Sequence, residues 1–268
     1  GGPSQTPSTA TVAYWQLDEE SGNLVDAVGA VQTLTGGTGL SHSQAAIAPD
    51  PVPNPDASNF TTGSASDNPS SVGFSGAGLA PHITDSSFEM TSSSSFTFEG
   101  WLLHNIDDGS QSGIEVVGGD RQRNSVSGSG ATFQGWLVWV SDGHLGFFSQ
   151  FGSTQVSATS TSEVDDGNAH HFAAVWDHLN SEMRLYIDGT LEDIQSVTPE
   201  SYRALAFSIG GRTIAGDDIL NDSILNGWLD ELRFSNEALA PSQFLNVPEP
   251  ATLALLGLGG LLMLRRRA

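Results

Sequence analysis

The feature that most constrains the fold is a series of short segments in which apolar and polar residues alternate, separated by turn-forming residues. Residues 11–17 place alternate apolar side chains on one face, and residues 96–103 do the same. A period of two residues is typical of half-buried β-strands. Asp-Gly pairs at 142–143 and 188–189 follow such segments and predict tight hairpins, because both residue types tolerate a positive φ. Residues 11–245 are therefore predicted to be almost entirely β.

The predicted strands must pack in two layers. Tight hairpins make neighbouring strands antiparallel, and roughly ten strands need two packed sheets to cover their apolar faces. The predicted fold is thus an all-β, two-sheet antiparallel jelly-roll sandwich. Within this body only residues 241–245 suggest a helical turn, because Pro241 stands near its start. Residues 49–70 are rich in proline and are predicted to form a long irregular insertion at the rim of the sandwich.

The composition excludes several classes of function. The chain has no cysteine, which removes disulfides, thiolate metal sites and cysteine nucleophiles. Nine basic and 31 acidic residues give a formal net charge of −22. A surface of that sign repels a phosphate backbone, so binding to nucleic acid is not expected.

The two ends of the chain differ from this body. Residues 1–10 are mostly Gly, Pro, Ser and Thr and predict a flexible lead-in, which begins without methionine as it would after removal of a signal peptide or a tag. Residues 251–264 carry no charge, and three arginines follow: Arg265, Arg266 and Arg267. Arginines after an apolar helix mark the cytoplasmic side of a membrane, which places the body on the other side. A helix of this length spans only about 21 Å, so it is expected to be a transient anchor.

A tripeptide, Pro248-Glu249-Pro250, precedes this apolar run. The tripeptide, the short hydrophobic helix and the arginine cluster together resemble the PEP-CTERM sorting signal of Gram-negative bacteria. The resemblance implies recognition by an exosortase-type membrane protease, transient contact with the inner membrane, and release to the cell surface or an exopolysaccharide matrix. A C-terminal core helix is the alternative, although a helix that is apolar on all sides needs a buried site. Residues 246–268 are therefore interpreted as a sorting segment.

Four stretches of the body resemble, in their order, the laminin-G-like, concanavalin A-like jelly roll of bacterial surface proteins. They are residues 12–19 with Asp26 behind them, residues 96–101, residues 166–189 and residues 209–239. Together they cover nearly all of residues 11–245, which are interpreted as one domain. The resemblance implies the two-sheet fold and a structural Ca²⁺ held by Asp26 and Asp230. One departure is Ala169, where the family usually carries an aromatic residue.

The alternation of apolar and polar residues around Asp230 also bears on the predicted Ca²⁺ site. Alternation in residues 228–234 puts Asp230 on the face of Trp228, Leu232 and Phe234, which is predicted to point inward. A buried carboxylate needs a cation or several hydrogen-bond donors, because an unpaired buried charge is costly. Ca²⁺ is one solution. Backbone or arginine donors, or a β-bulge that turns the side chain outward, are the alternatives.

Other polar candidates lie in loops and on one strand. Three acidic groups occur in predicted loops: Asp107 with Asp108, Asp165 with Asp166, and Asp217 and Asp218 with Asp222. Such carboxylates suit Ca²⁺, but none has EF-hand spacing, and solvated or turn-forming aspartates have the same pattern. His170 and His171 are consecutive, so on a strand they point to opposite faces and are expected to be structural.

Two chemistries involving carbohydrate remain. Glycoside hydrolysis needs a pair of carboxylates, which jelly-roll glucanases carry as Glu-x-Asp-x-Glu on one strand; neither residues 163–167 nor residues 229–232 have that pattern. Sugar rings stack on exposed aromatic side chains. Four tryptophans lie in predicted strands, where burial in the core is the simpler expectation: Trp101, Trp136, Trp139 and Trp176.

The sequence therefore predicts an exported, non-catalytic module for recognition or adhesion, displayed at the cell surface or in the extracellular matrix. Carbohydrate is the favoured ligand, by analogy of fold. A secreted polysaccharide-degrading glycoside hydrolase on the same fold is one alternative. A purely structural matrix component is the other.

Overall fold

The described chain is all-β, as predicted. A computed structural model of the protein describes residues 10–28, 32–47, 70–104, 114–123, 133–199, 206–212 and 223–245. The strands are β1 (Thr11–Trp15), β2 (Thr38–Ala45), β3 (Ser70–Leu79), β4 (His82–Ile83), β5 (Phe96–His104), β6 (Glu115–Arg123), β7 (Phe133–Ser141), β8 (His144–Gly152), β9 (Thr154–Glu163), β10 (His170–Asp177), β11 (Glu182–Ile187), β12 (Thr190–Ser196), β13 (Phe207–Ile209) and β14 (Asn226–Ser235). Short 3-10 turns lie at Ser86–Phe88 and Pro241–Gln243.

Several predictions concern residues outside these ranges. The flexible lead-in, nearly all of the proline-rich insertion, the C-terminal hydrophobic helix and the sorting segment lie outside the described residues. Within the described ranges, no helix has the length and hydropathy needed to cross a membrane.

The strands form two antiparallel sheets, which confirms the predicted sandwich. The larger sheet has eight strands in the order β12-β11-β10-β5-β14-β3-β2, and β1 also pairs with β14. The smaller has six, in the order β4-β13-β6-β7-β8-β9. Both Asp-Gly turns are tight and left-handed, with φ of 49° at Asp142 and at Asp188 and positive φ at the glycines that follow them. The hairpins β7–β8 and β11–β12 therefore form where the sequence predicts them.

The core lies between the two sheets. The apolar face of β5 predicted from alternation, Phe96, Phe98 and Leu102, is buried there. Rings from both sheets and from the loop after β4 pack together, with Phe88 and Phe207 centroids 4.4 Å apart. Burial of one such side chain contributes about 1.5–3 kcal/mol, so this cluster is a major source of the stability of the sandwich.

Alternation fails in β14, because the strand contains a β-bulge. The register with β5 shifts between Asp230 and Arg233, and Glu231 has a φ of 51°. Leu229 and Leu232 both face the core, although they are three residues apart. Asp230 instead pairs with Trp101 on the face turned away from the core. The predicted inward face for Asp230 is therefore wrong, and the alternative of a bulge is the one the structure has.

Part of the outer face of the eight-stranded sheet, meaning the face turned away from the core, is covered by the end of the domain. Residues 238–245, which we call the latch, follow β14 and include the 3-10 turn Pro241–Gln243. Leu239 and Phe244 of the latch pack against the outer side chains Ala173, Val175 and Tyr186. Leu245 packs with Tyr14 and Ala27. The latch makes this face a second, smaller core.

Candidate functional site

A polar cleft opens where β9 and β12, the edge strands of the two sheets, approach each other. Its volume is about 580 Å³, within the range of about 300–1,000 Å³ found for small-molecule sites. The walls come from the end of β9, the loop before β10 and the hairpin β11–β12. The lining residues are Thr161, Ser162, Glu163, Asp166, His170, Ile187, Asp188, Thr190 and Glu192. Four of these side chains are carboxylates, and His170 is the only basic one.

His170 joins two walls of the cleft. Its Nδ1 lies 2.8 Å from Oδ2 of Asp188, and its Nε2 lies 3.1 Å from Oδ1 of Asp166. The hydrogen bond to Asp188 is the main reason that the pKa of His170 is raised; burial opposes it, and the bond to Asp166 adds to it. Asp166 also accepts hydrogen bonds from the side chain and the backbone N–H of Asn168, and its pKa falls to about 2. The imidazole thus links the loop before β10 to the β11–β12 turn.

Side chains of β12 close the gap between the two sheets. Glu192 accepts hydrogen bonds from the backbone N–H groups of Thr161 (2.9 Å) and Ser162 (3.1 Å) and from both of their hydroxyls. Asp193 accepts one from the N–H of Thr159 at 3.1 Å. Burial raises the pKa of Glu192, but these bonds outweigh it and hold the pKa below its usual range. Donors along the edge of β9 are thereby satisfied, and the cleft acquires a fixed shape.

The carboxylates of the cleft are suited to accepting hydrogen bonds. The pKa of Asp188 is lowered, because the bonds from His170 and from the His171 N–H outweigh the effect of burial. A carboxyl group that serves as a general acid needs a raised pKa. Among the described residues, burial raises the pKa of a carboxyl group to about 8 at Glu231, which contacts the Tyr14 hydroxyl and does not line the cleft.

A partly exposed tryptophan lies on the outer face of the six-stranded sheet, close to the cleft. Trp139 of β7 pairs with Gly146 of β8, and a Cβ on that glycine would lie 2.3 Å from the indole ring. The nitrogen-bearing edge of the indole ring therefore lies over the glycine. Gly146 is in register with Thr159 of β9, and Thr161, two residues further along, lines the cleft. Two residues of strand span about 7 Å and neighbouring strands lie about 5 Å apart, so about 8 Å separates the backbones of Gly146 and Thr161.

The other tryptophans occupy different environments. Trp136 and Trp176 are fully buried, as predicted, and donate hydrogen bonds to backbone oxygens of Phe88 and Thr91. Trp101 is 5% exposed and packs with Ile47 and Ala169. Trp228 lies over Gly73 on the outer face of the eight-stranded sheet and is partly exposed. Trp139 and Trp228 therefore form a comparable pair on opposite sheets.

The two residues predicted to hold Ca²⁺ have protein partners. Asp26 is fully buried and accepts hydrogen bonds from the N–H groups of Tyr14 (3.0 Å), Val28 (2.8 Å) and Gln32 (3.2 Å). Asp230 is fully buried and accepts one from the N–H of Ile47 at 3.0 Å. In the described part of the chain, no group of three or more His, Cys, Asp or Glu side chains is arranged to hold a metal ion. Calcium therefore stays a prediction.

The remaining site residues predicted from the sequence lie in the cleft, elsewhere in the domain, or outside the described residues. Asp166 lines the cleft, and Asp165 lies against Gly143 of the β7–β8 turn. His170 and His171 point to opposite faces, as predicted: His170 faces the cleft and His171 lies under the latch. Outside the described residues lie Asp107, Asp108, Asp217, Asp218, Asp222, Pro248, Glu249, Pro250, Arg265, Arg266 and Arg267.

The sequence did not indicate that Glu192 and Thr161 line a cleft. They meet only because β12 and β9 are brought together as edges of different sheets. The one local signal is the Asp-Gly turn at 188–189, which places Asp188 at the tip of a hairpin.

The two antiparallel sheets and the cleft at their edge define a jelly-roll domain of the lectin type. The chain belongs to the concanavalin A-like lectin/glucanases superfamily, whose laminin-G model matches residues 74–243. Residues 246–268 match the PEP-CTERM protein-sorting motif, which indicates export to the cell surface or beyond in Gram-negative bacteria. Both resemblances drawn from the sequence are thereby confirmed. No curated protein matches the chain.

Solved structures share this fold at low identity. The binding domain of Paraclostridial Mosquitocidal Protein 1 is 14% identical, with a TM-score of 0.55 over 87% of this chain and 50% of that one. The Botulinum Neurotoxin Type G receptor binding domain is 10% identical, with a TM-score of 0.56 over 88% and 50%. Trypanosoma rangeli sialidase in complex with sialic acid is 11% identical, with a TM-score of 0.56 over 89% and 32%. The chain thus matches half or less of each of these structures, and the likeness shows the fold alone.

Proposed function

We propose that the protein is an exported, non-catalytic carbohydrate-binding module, displayed at the cell surface or in the extracellular matrix after cleavage of its sorting segment by an exosortase-type membrane protease. The observation that carries the proposal is the partly exposed ring of Trp139 near the polar cleft. Aromatic faces bind the apolar faces of sugar rings. Carboxylate and hydroxyl groups accept and donate the hydrogen bonds that sugar hydroxyls need.

The charge of the cleft defines the favoured class of glycan. Among the described residues, its lining contains Glu163, Asp166, Asp188 and Glu192 but no arginine, and the whole chain carries a net charge of −22. Anionic sugars such as uronic or sialic acids would be repelled at this surface. We therefore propose neutral polysaccharides as ligands, with one sugar on Trp139 and the next in the cleft.

Binding without catalysis is supported by the protonation state of three of the four carboxylates in the cleft. Hydrogen bonds lower the pKa of Asp166, Asp188 and Glu192, so these groups are ionised at neutral pH and cannot protonate a leaving group. Glycosidases of both stereochemical types need one carboxyl group kept protonated near the scissile bond. The toxin binding domains that share the fold are also binding modules by name.

The test compares two tryptophans that both lie over a glycine. Binding of neutral bacterial and algal polysaccharides is measured by affinity electrophoresis, with the wild type, Trp139→Ala and Trp228→Ala side by side. We expect Trp139→Ala to weaken binding at least about tenfold, equivalent to about 1.4 kcal/mol, and Trp228→Ala to bind as the wild type does. Glu163→Gln, an exposed cleft residue, should weaken binding several-fold with the fold unchanged.

Three outcomes would contradict this proposal. Equal losses of polysaccharide binding in both tryptophan variants would show that Trp139 is not a specific binding surface. Release of reducing sugars that a single change of a cleft carboxylate abolishes would make the protein a glycoside hydrolase. A wild type that binds no glycan, either with Ca²⁺ or with EDTA, would favour a structural matrix component. Thermal melts under the same two conditions test the predicted Ca²⁺ at Asp26 and Asp230.

A further inference from the structure

A second aromatic residue, Phe148 of β8, lies on the sheet face that carries Trp139. Phe147, the residue before it, is buried in the core between the sheets. Because successive side chains of a strand point to opposite faces, Phe148 belongs to the outer face of the six-stranded sheet. It is only partly buried there. Part of its ring is therefore available to a ligand on the same face as the indole of Trp139.

The strand register places the two rings at successive positions along β8. The nitrogen-bearing edge of the Trp139 indole lies over Gly146, its partner in the register of β7 with β8. Phe148 follows Gly146 by two residues on the same strand, a distance of about 7 Å. Diagonal neighbours of this kind are within reach of one another when their side chains are aromatic. A ligand that lies on the indole can therefore extend to the ring of Phe148.

A row of hydroxyl groups on β9 runs beside the two rings. Ser157 is in register with Phe148, and Thr159 is in register with Gly146. The hydroxyls of Ser157 and Thr159 lie 3.3 Å apart. Thr161 follows two residues further along β9 and lines the cleft. The order along the sheet is therefore Phe148 first, then the ring over Gly146, and then the cleft.

The chemistry of this surface suits a neutral sugar. An aromatic ring packs against the apolar face of a sugar ring. Serine and threonine hydroxyls both donate and accept hydrogen bonds, as sugar hydroxyls do. Phe148, Ser157 and Thr159 carry no charge, whereas the cleft at the other end of the row is lined by carboxylates. A sugar beside Phe148 would therefore be held by stacking and by neutral hydrogen bonds.

We propose that Phe148 and Ser157 form a further sugar subsite, and that the protein binds a neutral polysaccharide as a stretch of at least three consecutive sugars. One sugar lies on Phe148, the next on Trp139 and the third in the cleft. This inference rests on the proposed binding of glycans at Trp139. Its consequence is that a disaccharide fills the Trp139 position and the cleft, whereas a trisaccharide also contacts Phe148.

The test measures affinity against the length of the ligand. Neutral di- and trisaccharides of glucose, mannose, galactose and xylose are titrated into the full chain by calorimetry. For the sugar that binds, the wild type should prefer the trisaccharide by about fivefold, the increment expected from one aromatic contact. Phe148→Leu keeps apolar bulk on the strand but removes the ring. It should bind the disaccharide as the wild type does and lose the preference for the trisaccharide.

Two further variants serve as controls. Phe148→Tyr retains an aromatic face and should retain the preference for the trisaccharide. Trp228→Ala removes a partly exposed ring from the outer face of the other sheet and should also retain it. Thermal melts verify that each variant is folded. A purely structural role of Phe148 would lower the affinity for both lengths alike, which distinguishes it from a subsite.

The outcomes separate this inference from the proposed function. Equal affinity of the wild type for the two lengths overturns the subsite and leaves binding at Trp139 intact. An undiminished preference in Phe148→Leu, or equal losses for both lengths, does the same. A wild type that binds a neutral polysaccharide but neither oligosaccharide also overturns the subsite alone. If no saccharide of any length binds, or if Trp139→Ala binds both lengths as the wild type does, the proposed function fails and the subsite fails with it.

Discussion

The outer faces of the two sheets are built in opposite ways. On the eight-stranded sheet the latch covers the part of the outer face that holds Glu99, His171 and Arg233, which are at most 2% exposed. On the six-stranded sheet Trp139 and Phe148 remain partly exposed on the outer face. The part of that face under the latch, which we call the covered face, thus buries charged groups, whereas two aromatic rings stay partly exposed on the outer face of the six-stranded sheet, which we call the open face.

This difference indicates that the covered face serves stability and the open face serves recognition. Charged side chains can be buried on the covered face because each finds a partner there, and removal of any partner leaves the others uncompensated. On the open face, ring surface is available to a ligand and contributes less to the fold. Substitutions on the covered face should therefore change the stability and its pH dependence, and substitutions on the open face should change binding.

The largest effect is expected from Glu99→Gln on the covered face. Burial itself raises the pKa of Glu99, but Arg233 and the hydrogen bonds from His171 and the Leu245 N–H outweigh it, so the pKa lies below its usual range and the group is ionised. The substitution leaves the Arg233 charge buried without its counter-charge. We expect a loss of about 3–5 kcal/mol in the free energy of unfolding, measured by urea denaturation.

Glu182→Gln is the matched control for this change. Glu182 also pairs with an arginine, at 2.7 Å from Arg184, but both side chains are partly exposed. Such pairs contribute about 0–1 kcal/mol. Similar losses in Glu99→Gln and Glu182→Gln would mean that the latch does not exclude water from the Glu99 ion pair, and the contrast between the two faces would fail.

A second prediction concerns pH and Glu231, which is 1% exposed beside the Tyr14 hydroxyl. Burial raises the pKa of Glu231 to about 8 in the folded protein, from 4.5. The folded state therefore binds the proton more tightly than the unfolded state does. The resulting stabilisation is complete below pH 4.5 and is lost as the pH rises through about 8. Within that window the slope approaches about 1.4 kcal/mol per pH unit.

Glu231→Gln removes this titration and keeps a neutral side chain of similar shape. The variant should match the wild type near pH 4.5 and exceed it at pH 8 by about 1–3 kcal/mol, because local relaxation and water penetration reduce the cost of a buried charge. Urea denaturation at several pH values measures the difference. Parallel pH profiles for the two proteins would show that Glu231 is ionised in the folded state, and with it that water reaches the covered face.

Local pattern was sufficient for the strands that line the core. In β5 the alternation of Phe96, Phe98 and Leu102 with other residues predicts that one face of the strand lies against an apolar core. The structure confirms that these three side chains are buried there. The Asp-Gly turns likewise specify hairpins through backbone conformation alone.

The local sequence pattern did not predict an element whose hydrogen-bonding partners lie far away in the sequence. β9 has few apolar residues and was not predicted; its edge is held by Glu192 and Asp193 of β12, which no local signal indicates. β2 and β3 pair with each other and were missed for a different reason: they are rich in Ser and Gly and show little apolar alternation. At Asp230 the bulge reverses the face, at the point where the neighbour on the other edge of β14 changes from β3 to β1.

The smallest predicted effect lies at the boundary between the two sheets, at His170. The bond to Asp188 is the main cause of the raised pKa of His170, with burial opposing it and Asp166 adding to it. A raised pKa means that the stabilisation is complete below the unfolded value near 6.5 and is lost as the pH rises through the folded value. His170→Gln should therefore lower the free energy of unfolding more at pH 5.5 than at pH 9, by under about 1 kcal/mol, because both aspartates are more than 40% exposed.

Ser208→Ala separates this electrostatic effect from the loss of a hydrogen bond. The Ser208 hydroxyl donates to the backbone oxygen of Gly211 at 2.8 Å, and neither group titrates, so its replacement should cost the same at both pH values. If His170→Gln behaves in that way too, the imidazole does not hold the loop and the hairpin together by charge. The shape of the cleft would then depend on the bonds of Glu192 alone, and glycan binding should be insensitive to pH across the range in which histidine titrates.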